Sequence, residues 1–267
     1  MLSNETSTGH GTSIPFAGGA RGAPAQQSAL RLDTLRVLAA VLALSVAVYA
    51  AVSVSLSLGL DVPLAASAVL LAVFGLVLRG LVHHQFHKFG AANTVTAIRA
   101  AMVSLVAAVV LFAEMHRAGV EVHWTLAGLA GLALALDGLD GYLARRLHQE
   151  SDLGARFDME VDAFLILCLS AAVWQLDKAG PWVLLIGLMR YGFVLAQYVQ
   201  RRLAAPLPPS FRRKLVCVVQ VAALCVLLLP FVTAPLSVWI AAVALTALAW
   251  SFAVDTAYLL RKPEAGL

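Results

Sequence analysis

The sequence predicts an all-α integral membrane protein with about eight transmembrane helices. Composition is the first reason: 61% of the 267 residues are hydrophobic and 13% are charged, whereas soluble domains run near a quarter charged. The second is the succession of apolar runs from about Thr34 onward, with no polar stretch between them large enough for a soluble domain. The third is the placement of Lys and Arg at the ends of those runs, where they report orientation in a membrane.

Residues 1–30 are rich in Gly, Ser, Ala, Thr and Pro and show no apolar period. Such a stretch cannot bury enough surface to offset chain entropy, so a disordered tail is expected there. It has no short apolar core with a small-residue cleavage site, so it does not read as a signal peptide. A crossing helix needs ~20 mostly apolar residues. The chain offers candidates at roughly 34–58, 62–83, 93–115, 122–147, 158–177, 180–203, 212–233 and 235–260. Between the second and third lies His83-His84-Gln85-Phe86-His87-Lys88-Phe89. His83 and His87 have the i, i+4 spacing of a metal pair, but no carboxylate is near in sequence, and a basic aromatic stretch at this place reads as an interfacial anchor. Residues 31–88 are accordingly taken as two helices plus this segment, and 89–267 as the domain that carries the chemistry.

A cytoplasmic N-terminus puts Arg31, Arg36, Arg79, Lys88, Arg145, Arg146, Arg156, Arg201, Arg202, Arg212, Arg213, Lys214, Arg261 and Lys262 on the cytoplasmic side and leaves Arg117 and Lys178 opposite. The same asymmetry explains the net charge of +4 without a nucleic-acid partner. Lack of organelle signals fits a bacterial cytoplasmic membrane. Cys168, Cys217 and Cys225 all lie in apolar runs without ligand spacing and read as small buried hydrophobes.

The polar chemistry is concentrated in DGLDGYLARRLHQESDLGARFDMEVD, residues 137–162. Asp137 and Asp140 are i, i+3, and Asp158 and Asp162 are i, i+4, so each pair projects from one face of its helix. Four carboxylates converging at the edge of a hydrocarbon layer repel one another and each carry a desolvation penalty, so they need cations. Oxygen-only ligands favour a hard divalent ion, Mg²⁺ or Mn²⁺, and paired ions are the usual arrangement for displacement at phosphorus. Gly138, Gly141 and Gly154 leave the helix faces bare beside the acids, although glycine in a membrane helix also serves packing. A set of interfacial salt bridges with Arg145, Arg146 and Arg156 is the bland alternative. An EF-hand loop is excluded by the missing alternating ligands and terminal Glu.

Asp137-x-x-Asp140-Gly141-x-x-Ala144-Arg145, then eight residues, then Gly154-x-x-x-Asp158-x-x-x-Asp162 resembles, without a gap, the signature of the CDP-alcohol phosphotransferases, also called CDP-alcohol phosphatidyltransferases. The resemblance extends to Asn93-x-x-Thr96-x-x-Arg99, to Arg190, and to Lys214 with Gln220. It implies a six-helix membrane core, here preceded by two added helices, that is usually dimeric. It also implies transfer of a phospho-substituent from a CDP-linked donor, CDP-diacylglycerol being the expected one, to an acceptor alcohol with release of CMP, in phospholipid biosynthesis.

By the same resemblance Asp137, Asp140, Asp158 and Asp162 hold two metal ions, and Asp162 is the general base. Gly141, Ala144, Arg145, Gly154, Asn93 and Arg99 contact the donor. Arg190, Arg212, Arg213 and Lys214 are candidates for the acceptor, with headgroup binding by the last three as the alternative. Tyr191, Arg213 and Cys217 depart from common family patterns, which leaves the acceptor alcohol open. A cation channel or transporter using the same acids would call for symmetry between two halves of the chain, and the DGLDG segment has no counterpart. A catalytically silent structural member is the other alternative.

Overall fold

The computed structural model describes residues 24–81, 88–113, 115, 119–147, 151–205, 207–208 and 210–261, without the side chains of 24–27, 144 and 145. These residues form eight α-helices: α1 Pro24–Ser55, α2 Asp61–Gly80, α3 Ala91–Phe112, α4 Val120–Arg146, α5 Asp152–Gln175, α6 Leu184–Val199, α7 Phe211–Leu228 and α8 Leu236–Arg261. Short 3₁₀ turns at Pro181–Val183 and Arg201–Ala204 flank α6. No strand occurs among the described residues.

Six of the helices, α1 to α4, α6 and α8, are long and apolar enough to cross a membrane. The chain is therefore a multi-pass membrane protein. Two elements expected among eight crossings fall short of that measure: α5 carries Asp152, Arg156, Asp158, Glu160 and Asp162 in its first half, and α7 opens on Arg212-Arg213-Lys214. Both pack against other helices, α5 on α3, α6 and α7, and α7 also on α4 and α8.

Two boundaries differ from the sequence reading. Helix α1 starts at Pro24, inside the stretch assigned to the tail; a proline fits the first helical turn, where its missing N–H is not needed, and Ala, Gln and Leu follow. Helix α5 starts at Asp152, about six residues earlier than its apolar run, because Ser151 in extended conformation caps it, its Oγ accepting from the Gly154 N–H at 3.0 Å. The interfacial anchor proposed for residues 83–89 falls mostly outside the described residues, only Lys88 and Phe89 being included.

Helix α3 is the centre of the bundle and packs against α1, α2, α4 and α5. Its buried positions run round the whole helix and are mostly small, Ala97, Ala100, Ala101, Ala107 and Ala108 among them. Small residues let backbones approach closely where helices associate through packing rather than solvent exclusion. The first two helices are docked on this centre. Helix α2 buries Val62, Ala66, Leu70, Phe74 and Val77, one stripe at helical spacing. From α1, the Tyr49 hydroxyl donates to the Ala101 carbonyl at 2.6 Å, and an Asp33 oxygen accepts from the Phe89 N–H at 3.0 Å just before α3 begins.

Tyr49→Phe removes one buried hydrogen bond between α1 and α3 and is expected to lower stability by about 1 kcal/mol. Thermal unfolding of the purified protein in detergent reads this; an unchanged midpoint would show that apolar contact alone docks α1.

Candidate active site at the α3, α4 and α5 junction

Arg99 stands at the middle of the acidic cluster. Its side chain is 1% exposed, on the second turn of α3 above Asn93 and Thr96, which share its helix face by i, i+3 spacing. One nitrogen, Nη1, lies 3.1 Å from Asp137 and 2.8 Å from Asp140, both on α4, and also meets Asp158 on α5. The other, Nη2, donates to Asp162, one turn further along α5. The guanidinium fork is suited to such convergent carboxylates.

Asp140 is the most enclosed of the four, 4% exposed. Its Oδ2 accepts from Arg99 and from the Thr96 hydroxyl at 3.1 Å. Asp137, Asp158 and Asp162 present one oxygen each within 4.8 Å of one another. The sequence grouped four acids as metal ligands, and the geometry places three together and the fourth beside them on Arg99 and Thr96. With all four ionised, four negative charges face the single positive charge of Arg99, a surplus of three. A surplus of that size with oxygen-only donors fits hard divalent cations. The acids thus do not pair with the neighbouring arginines: Arg146 donates to the Tyr142 hydroxyl at 2.6 Å and lies over its ring.

Asn93 and Gly154, read as donor contacts, meet each other. The Asn93 amide donates to the Phe89 carbonyl at 2.5 Å. A Cβ on Gly154 would sit 2.6 Å from Asn93 Oδ1, so the glycine allows the first turn of α5 to close on α3. Gly138 has open space where a Cβ would be, Gly141 is half-buried, and the side chains of Ala144 and Arg145 lie outside the described residues.

The candidate acceptor residues lie round a cavity of about 440 Å³ bounded by α5, α6, α7 and α8, within the range of small-molecule sites. Asp162, Arg190 and Arg213 line it, so it adjoins the acidic cluster through Asp162. Arg212 lies behind the wall. Lys214 is exposed on α7 and off the lining. Two acids that sequence reasoning missed hold the arginines. Glu160 accepts from Arg190 at 2.6 Å, and Asp255 pairs with Arg212 and, at 3.4 Å, with Arg213. The available signal was an ionisable residue inside an apolar run, Asp255 in α8, which by default marks function or pairing.

Arg99→Met leaves four carboxylates without their buried partner and is expected to destabilise the metal-free protein by about 3 kcal/mol or more. Arg99→Lys, which keeps the charge but loses the fork, should fall between. Unfolding followed by circular dichroism in chelator tests the order; a Met variant as stable as the parent would show that Arg99 does not tie the helices.

Residues 89–254 match the family model described as CDP-alcohol phosphatidyltransferase. No curated protein and no solved structure matches the chain at a significant level. A match over more than half of the 267 residues, centred on the junction of α3, α4 and α5, places the chain in the CDP-alcohol phosphatidyltransferase family.

Proposed function

We propose that this transferase moves a phosphatidyl group from CDP-diacylglycerol to an acceptor alcohol, releasing CMP, at the cytoplasmic face of the cell membrane. The convergence of Asp137, Asp158 and Asp162 beside a cavity that shares Asp162 supports this reading best. The family match supports the reaction type, and the Lys and Arg asymmetry supports the side. A homodimer is carried over from the family resemblance.

Asp137, Asp158 and Asp162, with Asp140 beside them, are the residues that would hold Mg²⁺ or Mn²⁺, two ions by the family resemblance. When bound, such ions neutralise the charge of a pyrophosphate and of the phosphoryl group in transfer. The chain's own residues supply the rest. Arg99 fixes the carboxylates of α4 and α5 relative to one another, which is pre-organisation of the kind that phosphoryl transfer depends on. Asp162 faces the cavity as well as the cluster, so an acceptor hydroxyl entering there meets a carboxylate that takes its proton. The deprotonated oxygen then bonds to the donor's β-phosphorus as the bond to the CMP oxygen breaks.

Chelation is expected to abolish CMP release from CDP-diacylglycerol in the presence of a panel of alcohols, and Mg²⁺ or Mn²⁺ to restore it. Full turnover in excess chelator would refute the metal site.

Asp162→Asn keeps shape and some oxygen coordination but cannot take the proton. It should nearly abolish CMP release while donor affinity stays within roughly tenfold, about 1.4 kcal/mol. Asp137→Ala should weaken metal-dependent donor binding as well. Near-parental turnover by Asp162→Asn would remove Asp162 from the role of base.

A further inference from the structure

The acceptor side of the site carries no spare positive charge. On the cavity wall Asp162 and Asp255 balance Arg190 and Arg213. Adding the charges in direct contact, Glu160 on Arg190 and Arg212 on Asp255, preserves the balance at three of each sign. The arginines are also engaged in detail. Arg212 gives Nη1 to the Ser251 carbonyl and hydroxyl, both at 2.7 Å, and Nη2 to Asp255. Arg213 gives Nη2 to the Pro208 carbonyl and Nη1 to Asp255. Arg190 gives Nη2 to Glu160. A phosphate monoester carries ≈ −1.5 to −2 at neutral pH and is bound where such groups are unpaired. Here it would have to break existing pairs.

Hydrogen-bonding capacity, by contrast, is left over. Gln220, 0% exposed, is on the same wall, and its Nε2 donates to the Ala244 carbonyl at 2.6 Å. That bond fixes the amide orientation, since the flipped form would set two oxygens against each other. Its Oε1 is buried and unpartnered among the described residues, and so is Arg190 Nε. A buried unsatisfied group costs about 1–3 kcal/mol, so the wall wants one donor and one acceptor from a ligand. A hydroxyl is both.

We infer that the acceptor is an uncharged polyol, with one hydroxyl directed at Asp162 for transfer and another held by Gln220 and Arg190, rather than a phosphorylated alcohol. The assignment rests on the phosphatidyl-transfer reading and adds the chemical class of its second substrate. Gln220 is a specificity-determining residue here, and Asp255 is a positioning residue that keeps two arginines away from an incoming anion.

The test compares glycerol and inositol with the monophosphate of each, by CMP release from CDP-diacylglycerol with Mg²⁺ and, separately, by ligand-induced shift of the unfolding temperature. The uncharged polyol should turn over at least tenfold faster than its monophosphate and should bind in the absence of donor. Gln220→Leu should raise KM for the polyol about tenfold with little change in kcat and none in donor affinity. Asp255→Asn, which leaves the wall one positive charge in excess, should move the preference toward the monophosphate. A parental preference for the monophosphate, or a folded Gln220→Leu with unchanged polyol KM, would overturn the inference. If polyol binds and needs Gln220 but no CMP is released with any acceptor, the transfer reading fails and the ligand class stands. If neither polyol nor turnover is detected, the class fails as well.

Discussion

The buried guanidinium of Arg99 is the constraint around which the bundle is arranged. A charge that is 1% exposed on a membrane helix is tolerated only with partners at hand, and these come from two other helices: Asp137 and Asp140 on α4, Asp158 and Asp162 on α5. The requirement fixes the rotation and axial position of α4 and α5 about α3, since a shift of one residue on either would turn its acids away by about 100°, at 3.6 residues per turn. The small side chains of α3 serve the same end, because Arg99 reaches both neighbours only if the backbones lie close.

Ionic joints recur along the rest of the core. Glu160 and Arg190 connect α5 to α6, and Asp255 connects α8 to Arg212 and Arg213 of α7. Beyond the far end of α5 a different clasp operates. Lys178 donates to the Leu229 and Val232 carbonyls just past α7, the former at 2.5 Å and the latter at 2.9 Å, and Ser237 of α8 donates to the Lys178 carbonyl at 2.6 Å. One end of α5 is thus held by charge among side chains and the other by a lysine on otherwise unpaired carbonyls, the partners a helix C-terminus lacks. A helix with five charged residues in its first eleven can be kept in the bundle by such ties although its apolar stretch is short.

What the sequence disclosed was whatever depends on local spacing. Asp137 with Asp140 and Asp158 with Asp162 lie on common faces by helical arithmetic alone, and the apolar runs locate the helices to within a few residues. Pairing over long separations was not legible. Arg190 finds Glu160 across 30 residues and Arg212 finds Asp255 across 43, contacts decided by how α6 and α8 pack, so three arginines that look free in the sequence are already matched. Arg99 was legible as a member of a motif but not as the hub of the acids, and Gly154 as a bare face but not as room for Asn93. The helix starts at Pro24 and Asp152 escaped an apolar criterion because caps and propensity, not hydrophobicity, set them.

These pairings divide the site electrostatically. On the α3 and α4 side of Asp162 the acids outnumber the cations by three, a field that draws divalent ions and, with them, a diphosphate. On the α7 and α8 side the signs cancel, so long-range attraction contributes little and selection falls to short-range hydrogen bonds and shape. Asp162 belongs to both halves, bonded to Arg99 on one side and lining the cavity on the other. A base at such a boundary can take a proton from an uncharged hydroxyl without repelling it, as it would repel an acceptor that carried an anion. The surplus of negative charge behind it favours its readiness to accept the proton. The division that recruits the cations therefore also sets the conditions for activating the second substrate.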